Sequence, residues 1–267
     1  MSVYTDVVRY WDLFRDLFRR DLQIRYRSSL LGLAWTFINP LILVGVYTLL
    51  FSVLMKVPGT STIDNFALFV LTGLIAWVFF QATVQTSTQS LVGHASLVKQ
   101  VRFPRQLLPL SVVAANLVTL AAMLVVVLPL TLWLLPDTRD TFWATALPLA
   151  ALVALVSGLA ILVACANALF RDVEHLVAAI LVPLFLLTPI FYSFKELPGL
   201  EDKRLVVDLM YYGNVLVPLV EAIRDPLFFG RMPELGDLAY GIGAAVAALA
   251  LGAYVFRRVD DRLVAQL

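Results

Sequence analysis

Few groups in this chain are equipped to make or break bonds. Its two histidines, His94 and His175, have no partners at metal-ligand spacing. Among the loops Asp172 with Glu174 and a scattered acidic group beyond Lys195 do not amount to paired carboxylates at a membrane face. The single cysteine, Cys165, lies in an apolar run and excludes an internal disulfide framework. No G-x-x-x-x-G-K-[ST] loop is present to cradle nucleotide phosphates. The reading is therefore no catalytic residue and no metal ligand. What the chain does offer is binding chemistry. Arg9, Arg15, Arg19, Arg20, Arg25 and Arg27 crowd the N-terminal stretch, and Lys99, Arg102 and Arg105 stand in a loop without an acid. Gln81, Thr83, Gln85, Thr86, Ser87, Thr88, Gln89 and Ser90 form a dense neutral polar run, and aromatic rings are plentiful. Such groups pair with phosphates or lipid headgroups, hydrogen-bond to neutral ligands, and stack on flat apolar faces.

The elements that must position these residues are membrane helices. The chain is 61% hydrophobic and 15% charged, against roughly 25% charged in a soluble domain. From Val3 to Arg27, polar Thr5, Arg9, Asp12, Asp16, Arg19, Gln23 and Arg27 alternate with apolar Val7, Trp11, Phe14, Phe18 and Leu22. Steps of three and four predict a two-faced helix. It has neither the short apolar core nor the cleavage site of a secretory signal. It runs into a charge-free stretch, Leu30 to Met55, long enough to span a bilayer at ~1.5 Å per residue. Further apolar runs follow at Phe66–Gln89, Leu107–Leu135, Trp143–Phe170, Leu176–Phe194 and Leu238–Phe256. They are too long, and too rich in Leu, Ala and Val, for barrel strands. The expected fold is an all-α integral membrane protein with six transmembrane helices and an N-terminal amphipathic interface helix. It is read as one transmembrane domain, 1–267: interface helix 1–29, spans one to five 30–194, an extracytoplasmic or re-entrant segment 195–236, span six 237–256, and a cytoplasmic tail 257–267.

Basic residues set the orientation. The N-terminal arginines, Lys99, Arg102, Arg105, Arg171, and Arg257, Arg258 and Arg262 fall on one side of the six-span arrangement, with Lys56 and Arg139 on the other. The positive-inside bias puts both termini in the cytoplasm. The segment Lys195–Gly236 is too long for a turn. Its apolar pieces Leu205–Tyr212 and Val215–Ile223 alternate with prolines and glycines, which suggests short helices dipping into the outer interface. No span carries an acid or base in its middle, which argues against ion-coupled transport and for energy supplied by another subunit. Asn116 and Asn167 are read as interhelical hydrogen-bonders. The Gln/Thr/Ser run is too dense for packing alone, so part of it should face water or a cavity.

Three motifs carry a family resemblance. Arg25-Tyr-Arg-Ser-Ser-Leu-Leu-Gly-Leu-Ala-Trp35 through Pro40, Lys99-Gln-Val-Arg-Phe-Pro-Arg-Gln-Leu-Leu-Pro109, and Arg171-Asp-Val173 with the Pro183–Tyr192 span resemble, in matching order, segments of type-2 ABC export permeases. The subgroup is the one exporting lipid-linked polysaccharides (O-antigen, capsule, teichoic acid), and the Arg-Tyr-Arg-Ser-Ser-Leu-Leu-Gly phrase is more similar to the O-antigen and teichoic-acid branch. The resemblance implies a homodimer working with two copies of a separate ABC ATPase, which hold the ATP and Mg, in a bacterial inner membrane. This chain would then carry no cofactor and no enzyme activity of its own, and would meet membrane lipids and a lipid-linked glycan but no nucleic acid.

By the same resemblance, ATPase coupling falls on Arg15, Arg19, Lys99, Arg102, Phe103, Pro104, Arg105, Arg171, Asp172 and Glu174. The first and fifth helices of both copies would line the channel, which makes Trp35, Phe37, Tyr47, Phe51, Phe185, Phe191 and Tyr192 the candidate lining. Re-entrant helices near the exit make Tyr211, Tyr212, Phe228 and Phe229 gate candidates. Arg20, Arg25 and Arg27 at the inner rim are the candidates to meet a diphosphate. Two other readings stay open: a type-2 permease for a drug or small lipid, and an envelope-assembly membrane protein that moves nothing.

Overall fold

A computed structural model of the chain describes residues 9–26, 34–49, 65–100, 103–195 and 204–266. The described residues contain helices and no strand. In chain order the helices are α1 (Trp11–Tyr26), α2 (Trp35–Thr48), α3 (Phe66–Thr88), the short α4 (Ala95–Gln100), α5 (Leu107–Leu134), α6 (Ala146–Leu169), α7 (Val173–Leu187), α8 (Arg204–Gly213), α9 (Leu216–Arg224) and α10 (Leu235–Gln266). Four of the described helical stretches are long and apolar enough to cross a membrane: Phe66–Thr88, Leu107–Leu134, Phe142–Leu169 and Leu235–Asp260. This makes the chain a multi-pass membrane protein. The first expected span is represented by the 14 described residues of α2.

The helix α3 is the axis of the bundle. Within its most apolar window 78% of residues are buried, against 22–50% in the other three crossings. A helix that is apolar all round is stable only when surrounded, and α3 is packed by α5, α6, α7 and α9. Phe69, Leu74, Ile75 and Phe79 are fully enclosed there. The outward residues of α5 and α10, such as Val125, Val246 and Leu251, are exposed apolar groups suited to lipid.

The closest helix pair is α6 with α10, and small residues make it possible. A Cβ placed on Gly158 would stand 2.3 Å from the Ala248 carbonyl carbon, and one on Gly252 would stand 2.8 Å from the Gly158 oxygen. Where lipid removes the hydrophobic drive between helices, such close backbone approach supplies the attraction.

Two places differ from the sequence expectation. The fifth span, expected over Leu176–Phe194, is helical only from Val173 to Leu187. Its 15 residues reach about 22 Å at 1.5 Å per residue, short of the ~30 Å hydrocarbon layer. The helix stops because Thr188 precedes Pro189, whose ring disfavours the α conformation at the residue before it; Thr188 is extended, at φ −86° and ψ 131°. At the other end of the chain, α10 runs on past the expected span into the tail. The two apolar pieces expected in the 195–236 segment are helical, as α8 and α9, and every residue of α9 is buried.

Gly158→Leu should force α6 and α10 apart, a loss of at least the ~1–3 kcal/mol typical of overpacking. The expected result is a lower unfolding temperature in detergent, with aggregated protein on size exclusion. Gly243→Ala on the same α10, where an added Cβ meets nothing within 4 Å, should leave stability unchanged or raise it by up to ~1 kcal/mol.

Candidate functional site

Three regions have the geometry for function. The first is the end of the bundle where the basic segments meet. A hydrophobic cluster of Leu17, Leu91, Val98, Leu107, Leu108, Ile161, Ala164, Cys165 and Phe256 joins α1 to the ends of α5, α6 and α10. The face of α1 turned to the bundle is centred on Leu17, with Tyr10, Leu13 and Phe14 beside it, while Trp11 is 56% exposed. The inward stripe is thus rotated from the Trp11–Phe14–Phe18–Leu22 line expected from periodicity. Asp12, Asp16, Arg19 and Gln23 are exposed, in line with the expected polar face. Ser111 Oγ lies 2.8 Å from Asp21 Oδ2 and fixes α1 against α5.

Most of the expected coupling residues surround this cluster. Arg15, Arg19, Arg20, Lys99, Arg171 and Asp172 are exposed, and Phe103 packs partly against the cluster. Pro104 and Glu174 are half-buried. Arg105 is instead engaged within the chain: its Nη1 donates to Asp260 Oδ1 at 2.6 Å and to the Asp260 carbonyl at 2.7 Å, which ties the loop before α5 to the C-terminal helix. The expected sites Arg27, Phe51 and Arg102 lie outside the described residues. Arg25 and Tyr47 belong to helices α1 and α2, with their side chains likewise outside the description.

The asparagines do what the sequence suggested. Asn167 donates from Nδ2 to the Thr88 carbonyl at 2.9 Å and accepts the Glu174 N–H at 3.1 Å, joining the end of α3 to the start of α7. Asn116 donates to Thr86 Oγ1 at 3.3 Å across α3 and α5.

The second region is a groove of about 510 Å³ between α3 and α7. Trp77, Val78, Gln81 and Gln85 line one wall, and Ala178, Leu181, Val182, Phe185 and Leu186 line the other. Trp77, Gln81 and Gln85 recur every four residues and so form one row on α3. The Trp77 Nε1–H donates to Gln81 Oε1 at 2.7 Å, and the Trp77 and Phe185 rings meet at 5.2 Å. Phe191 stands edge-on to Phe185 at 5.6 Å. Part of the Gln/Thr/Ser run therefore faces a cavity, as its density required. Exposing an amide to hydrocarbon costs ~4–8 kcal/mol, so the outward position of Gln85 calls for a polar neighbour. Of the other channel candidates, Trp35 is 42% exposed on α2, and Phe37 and Tyr192 are half-buried.

The third region, at the opposite end of the bundle, holds a charge network that the sequence reading treated as scattered. The break after α7 leaves carbonyls without helical partners, and Arg224 from α9 collects them. Its Nη2 donates to the Pro189 carbonyl at 2.6 Å and the Ile190 carbonyl at 3.1 Å, and its Nη1 to the Tyr192 carbonyl at 3.2 Å. The guanidinium is fully buried, stands 4.0 Å above the Phe69 ring, and lies 3.5 Å from Glu221 Oε1. Gly73 makes room for it, because a Cβ there would sit 2.4 Å from Arg224 Nη2. Glu221 accepts from Ser193 Oγ at 3.0 Å and from the Phe194 N–H at 3.3 Å.

Beside this core, Lys195 Nζ reaches Asp225 at 3.0 Å, Glu234 at 3.2 Å and Asp237 at 2.8 Å. Burial pulls the Lys195 ammonium down, but its bonds to Asp237 and Asp225 outweigh that and hold it above the ordinary lysine range. It is a permanent cation. Of the gate candidates, Tyr211 is buried with its hydroxyl on Asp237 at 2.8 Å, and Phe228 is buried edge-on to Phe69 at 5.3 Å. Phe229 is half-buried, and Tyr212 is exposed between Tyr211 and Tyr240. The signal for the network was in the sequence: Glu221 and Arg224, one helical turn apart in an otherwise apolar nine-residue helix.

Arg224→Met should cost about 3–5 kcal/mol, since it leaves Glu221 and three carbonyls buried without their cation. A matched loss of thermal stability in detergent is the expected reading, with Arg224→Lys recovering only part of it because a single ammonium cannot span the three carbonyls. Lys195→Met, at a partly exposed site, should cost distinctly less.

Comparison with known proteins fits this architecture. Residues 12–228 match the ABC-2 type transporter family. An O-antigen export system permease protein RfbA of Myxococcus xanthus is 31% identical over 94% of both chains. A protein of the same name from Klebsiella pneumoniae is 32% identical over 94% of this chain and 93% of its own. The polysialic acid transport protein KpsM of Escherichia coli is 23% identical over 93% of each. With a matched span running from α1 through α9, the chain belongs to the ABC-2 type transporter family.

Proposed function

We propose that the chain is the permease subunit of an ATP-driven exporter that carries a polyprenyl-diphosphate-linked polysaccharide, an O-antigen first of all, from the cytoplasm to the outer side of a bacterial inner membrane. The observation that carries this reading is end-to-end similarity to two proteins named as O-antigen export permeases, in a chain with no phosphate-binding loop of its own. Two copies of the permease would enclose the path, and two copies of a separate ATPase would drive it. Re-entrant α8 and α9 would sit near the exit. The more distant KpsM similarity keeps capsule-type glycans within the same substrate class.

The structure supports a division of labour. The exposed Arg15, Arg19, Lys99 and Arg171 surround the cluster into which α1 and the ends of α5, α6 and α10 are packed. An ATPase pressing there would act on several helices at once, because Leu17, Asp21 and Arg105 fix α1 and the loop before α5 to the bundle. The positive-inside bias puts this end in the cytoplasm and the Arg224 network at the outer side. Arg20, Arg25 and Arg27 remain the candidates for the diphosphate, as bidentate guanidinium donors.

Deleting the gene should leave lipid-linked glycan stranded on the cytoplasmic side, read by protease-free glycan labelling of intact against opened cells. Undiminished surface glycan would refute the assignment, and purification of the chain without any ATPase would count heavily against it. Replacing both Arg25 and Arg27 with glutamine should cut export at least tenfold while the complex still assembles; unaltered export would remove them from the diphosphate site.

A further inference from the structure

We infer that Gln81, Gln85, Trp77 and Phe185 form a subsite for uncharged sugar rings of the transported glycan, built mainly on the second span rather than on the first and fifth alone. The inference rests on the proposed function for the nature of the cargo, and on the groove for its location. Gln85 is exposed and Gln81 half-buried on a helix that is otherwise the most enclosed of the described crossings. The Gln85 backbone carbonyl accepts from Thr88 Oγ1 at 2.6 Å, while its side-chain amide makes no hydrogen bond to another described residue and is available to a ligand.

The polarity of the site is directional. An indole N–H can only donate, so the bond from Trp77 to Gln81 occupies the Gln81 carbonyl and turns its NH₂ towards the groove. Hydroxyl and ring oxygens can accept from that NH₂. Beside it, the half-buried Phe185 ring, backed by the buried Trp77 ring at 5.2 Å, offers an apolar face of the kind that covers the C–H face of a pyranose. Among the described residues no charged side chain lines the groove, so none of them would compensate a desolvated carboxylate or phosphate. The volume lies within the range of small-ligand pockets. Stacking with neutral amide donors suits a sugar ring, whereas the linking diphosphate needs the cations at the bundle end.

The test uses the whole transporter in inverted membrane vesicles. Cys165 is the sole cysteine and is buried, so Cys165→Ala gives a background for single cysteines. Gln85→Cys in that background should react with a membrane-impermeant thiosulfonate at least tenfold faster than Val125→Cys, an outward position on α5. The cell's own lipid-linked glycan, trapped by ATP depletion, should slow that reaction severalfold. Equal, slow reaction at both positions would place lipid against Gln85, and a spontaneous disulfide between copies would place the second copy there; either result overturns the subsite. Gln81→Leu with Gln85→Leu should lower export at least tenfold while the ATPase still copurifies, and Gln81→Asn with Gln85→Asn should restore part of it. Unchanged export by the double leucine variant would overturn the subsite while leaving the export assignment, tested by gene deletion, intact.

Discussion

The buried guanidinium of Arg224 is the interaction on which the half of this protein opposite its basic end depends. A helix that ends within a bundle exposes carbonyls that neither lipid nor apolar side chains can satisfy. The Thr188-Pro189 step ends α7 early, and three of the carbonyls after it turn to one cation. That cation is tolerable because Glu221 balances it, Phe69 covers it and Gly73 leaves space for it. The fold thereby gains an irregular backbone segment deep in its structure, attached to α9 by bonds too numerous to release singly. The end of α7 and the α9 helix are held as one body.

Around that body the rest of the molecule divides by chemistry. The α3 axis and the α6–α10 pair are apolar packing, with glycines setting the closest distance. The Lys195 cluster forms a looser, partly exposed outer layer in which one ammonium serves three carboxylates from the turn after α9 and the start of α10. The opposite end gathers the exposed cations around a smaller cluster centred on Leu17. The groove between α3 and α7 lies between these ends and is the place where neutral polar groups turn outward. The proposed export function would draw on such a layout: a packed centre, an exposed cationic end, and a groove wall that is polar without being charged.

Much of this could be read from the chain alone. Long charge-free runs can only be membrane helices, and their limits at Phe66, Leu107 and the end of α6 agree with the helices found to within a few residues. The apolar pieces after Lys195 were legible as α8 and α9 because breakers flank them. That part of the Gln/Thr/Ser run faces a cavity was legible because eight neutral polar residues within ten positions exceed what packing uses; that the part is Gln81 and Gln85 came from the groove itself. Less legible was the rotation of α1, since Leu13 and Leu17 lie beside the periodic stripe and only contact with the bundle selects them. The engagement of Arg105 with Asp260 was also hidden, because those residues are 155 positions apart.

The sequence by itself determined composition-driven properties: an all-helical membrane protein, its basic end, the absence of a nucleotide loop, and motifs specific enough to show the family. These follow from local hydropathy and short-range spacing, which do not depend on what a segment packs against. Tertiary structure alone decided where the charges beyond Lys195 go. In sequence Glu221 and Arg224 stand at the end of an apolar piece and Asp237 at the start of the last span; they become a buried network only when Arg224 meets the carbonyls freed by the break in α7 and Lys195 meets the acids. Burial of a charge is settled by its partners, and those partners come from segments far apart in the chain.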